Sequence, residues 1–313
     1  MSESREARAH EIAKIYFGET TDPCVVSASV AGSEKVLAGD DNRKDYFDAT
    51  DAEQTLADAT VILTDKSELT QQPDGAYKLD VNPFRRNDLP PCAGERFAKQ
   101  HTGGWCSGFM VGEDIIVTAG HCGETEAEIQ NTAYVFGFRV EKEGGAGTTQ
   151  FSEAQVYFGK ELNAHDLSEK GDFALVRVDR TITAENATPL KVRAMGRIGD
   201  RENVGVIGYP SGLPVKIAFG QKTVVLRHED PWLISNLDTY GGNSGSPVFS
   251  KNGLVEGILV RGAQDYNFDG QEQCFRSNRI ENKDGSEAVT KSSAFVSKIP
   301  TAANGPENIA PEK

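Results

Sequence analysis

The sequence predicts an all-β fold with little helix. From Trp105 onward, short β-branched or apolar runs recur: CSGFMVG, DIIVTAG, AYVFGFRV, AQVYFG, FALVRVD, NVGVIGYP, KTVVL, PWLISNL, SPVFS and LVEGILV. Gly, Pro and Asn punctuate them, and these residues end strands and set turns. The chain has 313 residues, enough for two domains or for one large β domain of about 200–250 residues. Many short strands of this kind build a barrel or a sandwich. No internal repeat at a fixed period is visible.

In chain order, residues 1–35 are polar, and Ala7 to Phe17 has the pattern of one short amphipathic helix. Residues 36–55 are acidic and turn-rich. Ala59–Leu63 (ATVIL) reads as a strand. Residues 64–104 contain Pro73, Pro83, Pro90 and Pro91 among polar residues and read as a long irregular surface stretch. The strand-rich part follows. The tail Pro300–Lys313 has too little apolar surface to pack and is expected to be loose.

The net charge is −14. Such a surface repels phosphate backbones, which argues against nucleic-acid binding. No run of 18 apolar residues exists, so no membrane-spanning helix is expected. The five cysteines are Cys24, Cys92, Cys106, Cys122 and Cys274, and none forms a C-x-x-C pair, so neither a zinc nor a redox motif is indicated. An odd count leaves at least one thiol without a partner inside the chain. The first residues, MSESREARAHEIAKIYFGET, show no apolar signal-peptide core. The cysteines nevertheless suit an oxidising setting, and a secreted or periplasmic location is expected.

Three segments carry chemistry. In Tyr240-Gly241-Gly242-Asn243-Ser244-Gly245-Ser246-Pro247, glycines crowd one serine on both sides. Such a loop either is an ordinary turn or converges backbone N–H groups on a point where negative charge develops, with Gly242 and Ser244 as the donors. A serine needs a positioned base to become a nucleophile. Of His10, His101, His121, His165 and His228, only His121 stands directly after an apolar run, in DIIVTAGHC; His165 lies in a charged stretch read as a loop. The base in turn needs a carboxylate to hold its tautomer. Asp172 in GDFALV opens an apolar strand, whereas its rival Asp166 does not.

TAGHC, GDFALV and GGNSGSPV, in this order, resemble the signature segments of the chymotrypsin-like (trypsin-family) serine peptidases. The spacings agree: 172 − 121 = 51 and 244 − 172 = 72. The resemblance covers about residues 105–262. It implies two antiparallel six-stranded β-barrels with His121, Asp172 and Ser244 as a catalytic triad in the cleft between them. It also implies a Cys106–Cys122 disulfide beside the histidine, polypeptide substrates, and neither cofactor nor metal. A Cys92–Cys274 pair is a further expectation. Asn243 stands where the animal digestive members carry an aspartate, and GGNSGSPVF with NVGVIGYPSGLPV is similar instead to the bacterial glutamyl-endopeptidase branch. In that branch a new valine amine forms at maturation. EKVL with DNR and DAT resembles its mature start, implying a cut at Lys35–Val36, residues 1–35 as propeptide, 36–299 as peptidase domain and 300–313 as tail.

An inactive homologue used for binding and an esterase are the competing classes; Leu259, Val260, Arg261 and Gly262 resemble the strand that pairs with a peptide substrate. For the side chain before the cut bond, two preferences are weighed. By the resemblance Asp238, six residues before Ser244, forms the pocket base and favours Arg or Lys, with Gly262 leaving the pocket open. Thr239 matches the glutamyl branch and favours Glu, but Leu259 replaces that branch's pocket histidine. Arg261 is a candidate for an acidic side chain at a neighbouring subsite.

Overall fold

The computed structural model describes residues 37–300 and the backbone of Ile309–Ala310. The expected Ala7–Phe17 helix and the Lys35–Val36 bond lie outside the described residues, as does Cys24. Apolar runs set the first barrel: β1 (Thr60–Asp65), β2 (Cys106–Met110), β3 (Ile115–Thr118), β4 (Thr132–Phe136), β5 (Val156–Ser168) and β6 (Gly171–Val178). They pair antiparallel in the closed order β1-β2-β3-β6-β5-β4. The second barrel holds β7 (Asn203–Gly208), β8 (Lys216–Glu229), β9 (Trp232–Ser235), β10 (Pro247–Ser250), β11 (Val255–Arg261) and β12 (Glu287–Lys291). Its order is β7-β8-β9-β12-β11-β10, closed by β10 against β7. The two barrels thus share one topology. Closure removes every free sheet edge in each barrel.

Val61, Phe109, Val117, Val135 and Leu175 fill the first barrel, and Val206, Val225, Leu233, Val248, Leu259 and Val289 the second. Tens of such side chains, at about 1.5–3 kcal/mol each for full burial, are the main force holding the barrels together. The long strands β5 and β8 bend through register shifts at Gly159/Glu161 and Val225/Arg227. Bulges of this kind let one strand turn a barrel corner.

Three expectations on the elements are corrected. The acidic stretch 36–55 leads into a helix, α1 (Asp51–Ala57), whose Thr50 and Glu53 form a reciprocal capping box; α2 (Glu126–Gln130) is capped the same way by Thr125 and Glu128. The stretch 64–104 is mostly irregular but contains paired strands at Leu69–Gln71 and Tyr77–Leu79. His165 lies in β5, paired with Ala174, because β5 continues past its apolar part through polar residues that face solvent. Of the tail, Ile309–Ala310 runs parallel to Val192–Arg193.

Both expected disulfides are present, Cys106–Cys122 and Cys92–Cys274, with Cα atoms 6.3 and 4.9 Å apart respectively. Among the described residues no helix is long and apolar enough to cross a membrane.

Candidate active site

β3 ends in a single 3-10 turn, Gly120–Cys122, that carries His121. β6 runs beside β3, so Asp172, its second residue, comes under this turn. Asp172 holds the histidine at two points. Its Oδ1 accepts the His121 backbone N–H at 3.1 Å, and its Oδ2 lies 2.8 Å from His121 Nδ1. A proton on Nδ1 donates to this carboxylate, which leaves Nε2 as the basic nitrogen. Asp172 is itself tied to the second barrel. The Thr290 hydroxyl, from β12, accepts from the Asp172 amide at 3.3 Å and donates to its carbonyl at 3.1 Å. The rival Asp166 pairs across to Phe173, and its carboxylate accepts from Ser168. His165 Nε2 lies 3.1 Å from the Gly120 carbonyl, so it supports the turn that carries His121.

Ser244 sits between β9 and β10, at the end of a loop whose path requires glycine. Gly242 has φ +95° and Gly245 φ +90°, a region L side chains rarely adopt. A Cβ at Gly245 would lie 1.9 Å from the Ser107 carbonyl oxygen. The amides of Asn243, Gly245 and Ser246 are committed to the carbonyls of Tyr240, Leu259 and Asn243.

Ser107, which the sequence did not single out, fastens this loop to the first barrel. Its amide donates to the Ser244 carbonyl at 2.8 Å and its hydroxyl to the Gly242 carbonyl at 2.8 Å. The same hydroxyl accepts from the Tyr209 amide, and its carbonyl accepts from Thr118. The Cys106–Cys122 bridge brackets the arrangement, with Cys122 Sγ 3.8 Å from the Ser244 carbonyl oxygen. The two sulfurs lie near a His121 nitrogen, but bonded to each other they are not thiolates for a metal. His121 and Ser244 are 9% and 8% exposed, and Asp172 is more deeply buried. His228 meets the Ile198 carbonyl and His101 lies in the short Asn82–Pro83/His101–Thr102 ribbon, so neither belongs to this cluster.

Asp238 turns its carboxylate toward the start of the described chain. Its Oδ1 accepts the Ala38 amide at 2.8 Å and its Oδ2 the Asn42 amide at 3.0 Å. Burial pushes its carboxyl up to about 6 against the lowering effect of these two donors. Two amides from the start of the described chain therefore satisfy the group that was expected to meet a cationic substrate. Thr239 donates its hydroxyl to Glu287, another residue not singled out from the sequence. Leu259 is fully buried in the core of the second barrel. Val260 packs in the first core cluster, and the Arg261 guanidinium lies 4.3 Å above the Trp232 ring. Gly262 follows β11 and abuts Glu287.

Residues 106–258 match the model of the trypsin-like peptidase domain. Among solved structures, the chain is similar to a Glu endopeptidase in complex with MPD. That likeness has 16% identity and TM-score 0.48, covering 86% of this chain and 100% of the other. It is also similar to an inactivated protease paralogue of the scabies mite, with 14% identity and TM-score 0.45, covering 80% of this chain and 95% of the other.

Proposed function

We propose that this chain, which carries a trypsin-like peptidase domain in a chymotrypsin-like fold, is an active serine endopeptidase. The observation that carries this reading is the two-point grip of Asp172 on His121 beside the glycine-bounded Ser244 loop. In the reaction, Ser244 Oγ attacks the scissile carbonyl while His121 Nε2 takes its proton. Asp172 holds the ring and stabilises the imidazolium that forms. The amides of Gly242 and Ser244 receive the charge on the carbonyl oxygen. His121 then returns the proton to the leaving amine, and a water repeats the sequence to release the acyl group. No metal or cofactor is needed for any step.

The substrates are polypeptides, and the preferred residue before the cut bond is Arg or Lys rather than Glu. Leu259 offers no charge to an acidic side chain. Two disulfides fit an oxidising compartment, which supports a secreted or periplasmic location. Maturation by a cut at Lys35–Val36 is supported by the segment just after it: Leu37 is fully buried and the Ala38 amide is bound to Asp238 on the nucleophile loop. N-terminal sequencing of the most active form tests this; an active enzyme that begins well away from Val36 removes it.

Amide hydrolysis by Ser244→Ala, His121→Ala and Asp172→Asn tests the triad. Each is expected to fall by about 10⁴-fold or more, with unchanged folding by circular dichroism. The Ser244→Ala/His121→Ala double variant is expected to lose little beyond either single one, since the two act as a unit. Full activity in Ser244→Ala ends the reading.

A further inference from the structure

We propose that Arg43 is a positioning residue for the hydrolysis: it fixes Tyr240, and through Tyr240 the Gly242 amide that receives the charge on the carbonyl oxygen. The proposal rests on the peptidase reading above and adds a residue that none of the three catalytic motifs contains.

A preorganised donor has to be held where the charge develops before the charge is there. Gly241 and Gly242 have no side chains with which to hold themselves, and glycine backbone is the least restricted of all. Their neighbours do it. The Ser107 hydroxyl holds the Gly242 carbonyl at 2.8 Å, and the Ser211 amide holds the Gly241 carbonyl at 2.5 Å. The Asn243 amide closes the turn onto the Tyr240 carbonyl at 3.0 Å. Tyr240 is therefore the post from which the glycine turn starts and to which it returns.

Arg43 holds that post by two contacts. Its guanidinium lies 4.1 Å from the centre of the Tyr240 ring, and Nη2 donates to the phenol oxygen at 3.2 Å. The phenol donates onward to Ser277 Oγ at 2.6 Å, and the Ser277 hydroxyl to Glu95 Oε2 at 2.6 Å. The Tyr266 ring packs against the Tyr240 ring, with centres 4.6 Å apart. Arg43 is itself rigid. It is 2% exposed, and Asp41 takes Nε and Nη2 at 2.9 Å each. The strand Arg43–Lys44 pairs with Ile217–Ala218 of β8, and Arg96 donates to the Arg43 carbonyl. A planar guanidinium can lie on a ring and keep its fork on a carboxylate at the same time; a lysine ammonium is a point charge without that plane.

The experiment measures kcat and KM for peptide amide hydrolysis by the full chain carrying Arg43→Met, Tyr240→Leu or both, with folding checked by circular dichroism. Each single variant is expected to lose about 10- to 100-fold in kcat, the range set by a misplaced oxyanion donor, with KM nearly unchanged. The double variant is expected to lose no more than the worse single one, because the two residues act as a unit. Affinity for a peptide aldehyde, whose carbonyl adds Ser244 Oγ and puts its oxygen on the same amides, is expected to fall by the same factor as kcat. The pH midpoint of kcat is expected to stay in place, since His121 and Asp172 are untouched. Lys44→Met, which ends only the neighbouring ion pair to Glu53, is expected to keep kcat. Should Arg43→Met misfold, Tyr240→Phe carries the test. It keeps the ring, removes the hydroxyl and is expected to lose about fivefold in kcat, one hydrogen bond's worth. Wild-type kcat in folded Arg43→Met, or in Tyr240→Phe where that variant carries the test, overturns the role. So does a loss confined to KM, a shifted pH midpoint, or an equal loss in Lys44→Met. A wild type that neither hydrolyses any substrate nor labels Ser244 with a fluorophosphonate overturns the peptidase reading and this role with it.

Discussion

Removing the two disulfides in turn is expected to rank the proteins in opposite orders for stability and for turnover. A crosslink raises stability mainly by restricting the unfolded chain, and the effect grows with the logarithm of the loop it closes. Cys106 and Cys122 are 16 residues apart and Cys92 and Cys274 are 182 apart. The chain-entropy relation then gives about 3 kcal/mol for the first bridge and about 5 kcal/mol for the second. Turnover depends on something else. The short bridge ends at Cys122, beside His121, and its sulfur touches the carbonyl of Ser244. Its loss loosens the geometry of both groups, and a displacement of about 1 Å there costs up to about 100-fold in rate. The long bridge instead fastens the strand Cys274–Ser277 to the loop at Cys92, near the Phe84–Tyr266–Phe275 cluster. The paired Ser substitutions, Cys106/Cys122 and Cys92/Cys274, are to be compared by urea unfolding and by amide hydrolysis at a temperature where both stay folded. The Cys92/Cys274 variant is expected to be the less stable and the Cys106/Cys122 variant the slower. One variant that is worst in both assays refutes the separation of roles.

Two further outcomes follow from the geometry. Asp238 has its folded carboxyl pKa raised to about 6, above the 3.8 of an exposed aspartate, so the folded state binds this proton more tightly than the unfolded state. Its contribution therefore favours folding below about pH 4, is lost as the pH rises through 6, and amounts to about 3 kcal/mol. Urea unfolding from pH 4 to 7 is expected to show wild type losing about that much stability relative to Asp238→Asn; a constant difference contradicts it. Ser107→Ala removes the hydroxyl that donates to the Gly242 carbonyl and accepts the Tyr209 amide, leaving buried groups without it. It is expected to lower kcat about tenfold or more at nearly constant KM and to cost about 1–3 kcal/mol of stability. A rise in KM alone would show that Ser107 does not position the loop.

The strands of both barrels were legible where they are apolar along their whole length. β12 was not, because Glu287-Ala288-Val289-Thr290-Lys291 has two apolar residues among three polar ones. All five are buried, since Glu287, Thr290 and Lys291 find partners in Thr239, Asp172 and Asp230. No local pattern reveals such partners, because they come from other strands and loops. The shared strand order of the two barrels left no repeat in the sequence either. Barrel closure constrains where apolar residues fall, not which ones they are. At the candidate site, His121, Asp172 and Ser244 could be chosen by their local context. The partners of Asp238 were not legible. Its spacing from Ser244 gives its place on the loop, but the direction of its carboxylate is set by amides 200 and 196 residues away in sequence.

β12 also determines how the fold can be recombined. Near its end, the Thr290 hydroxyl braces the backbone of Asp172, which belongs to the first barrel. The backbone of Asp172 is therefore supported from outside the barrel that encodes it. A chimera that imports the second barrel from another peptidase imports that support with it, so the barrels are not independent modules. A one-residue register slip of β12 would turn Thr290 away from Asp172 and Glu287 away from Thr239 together. Any exchanged second barrel has to keep the hydroxyl at position 290.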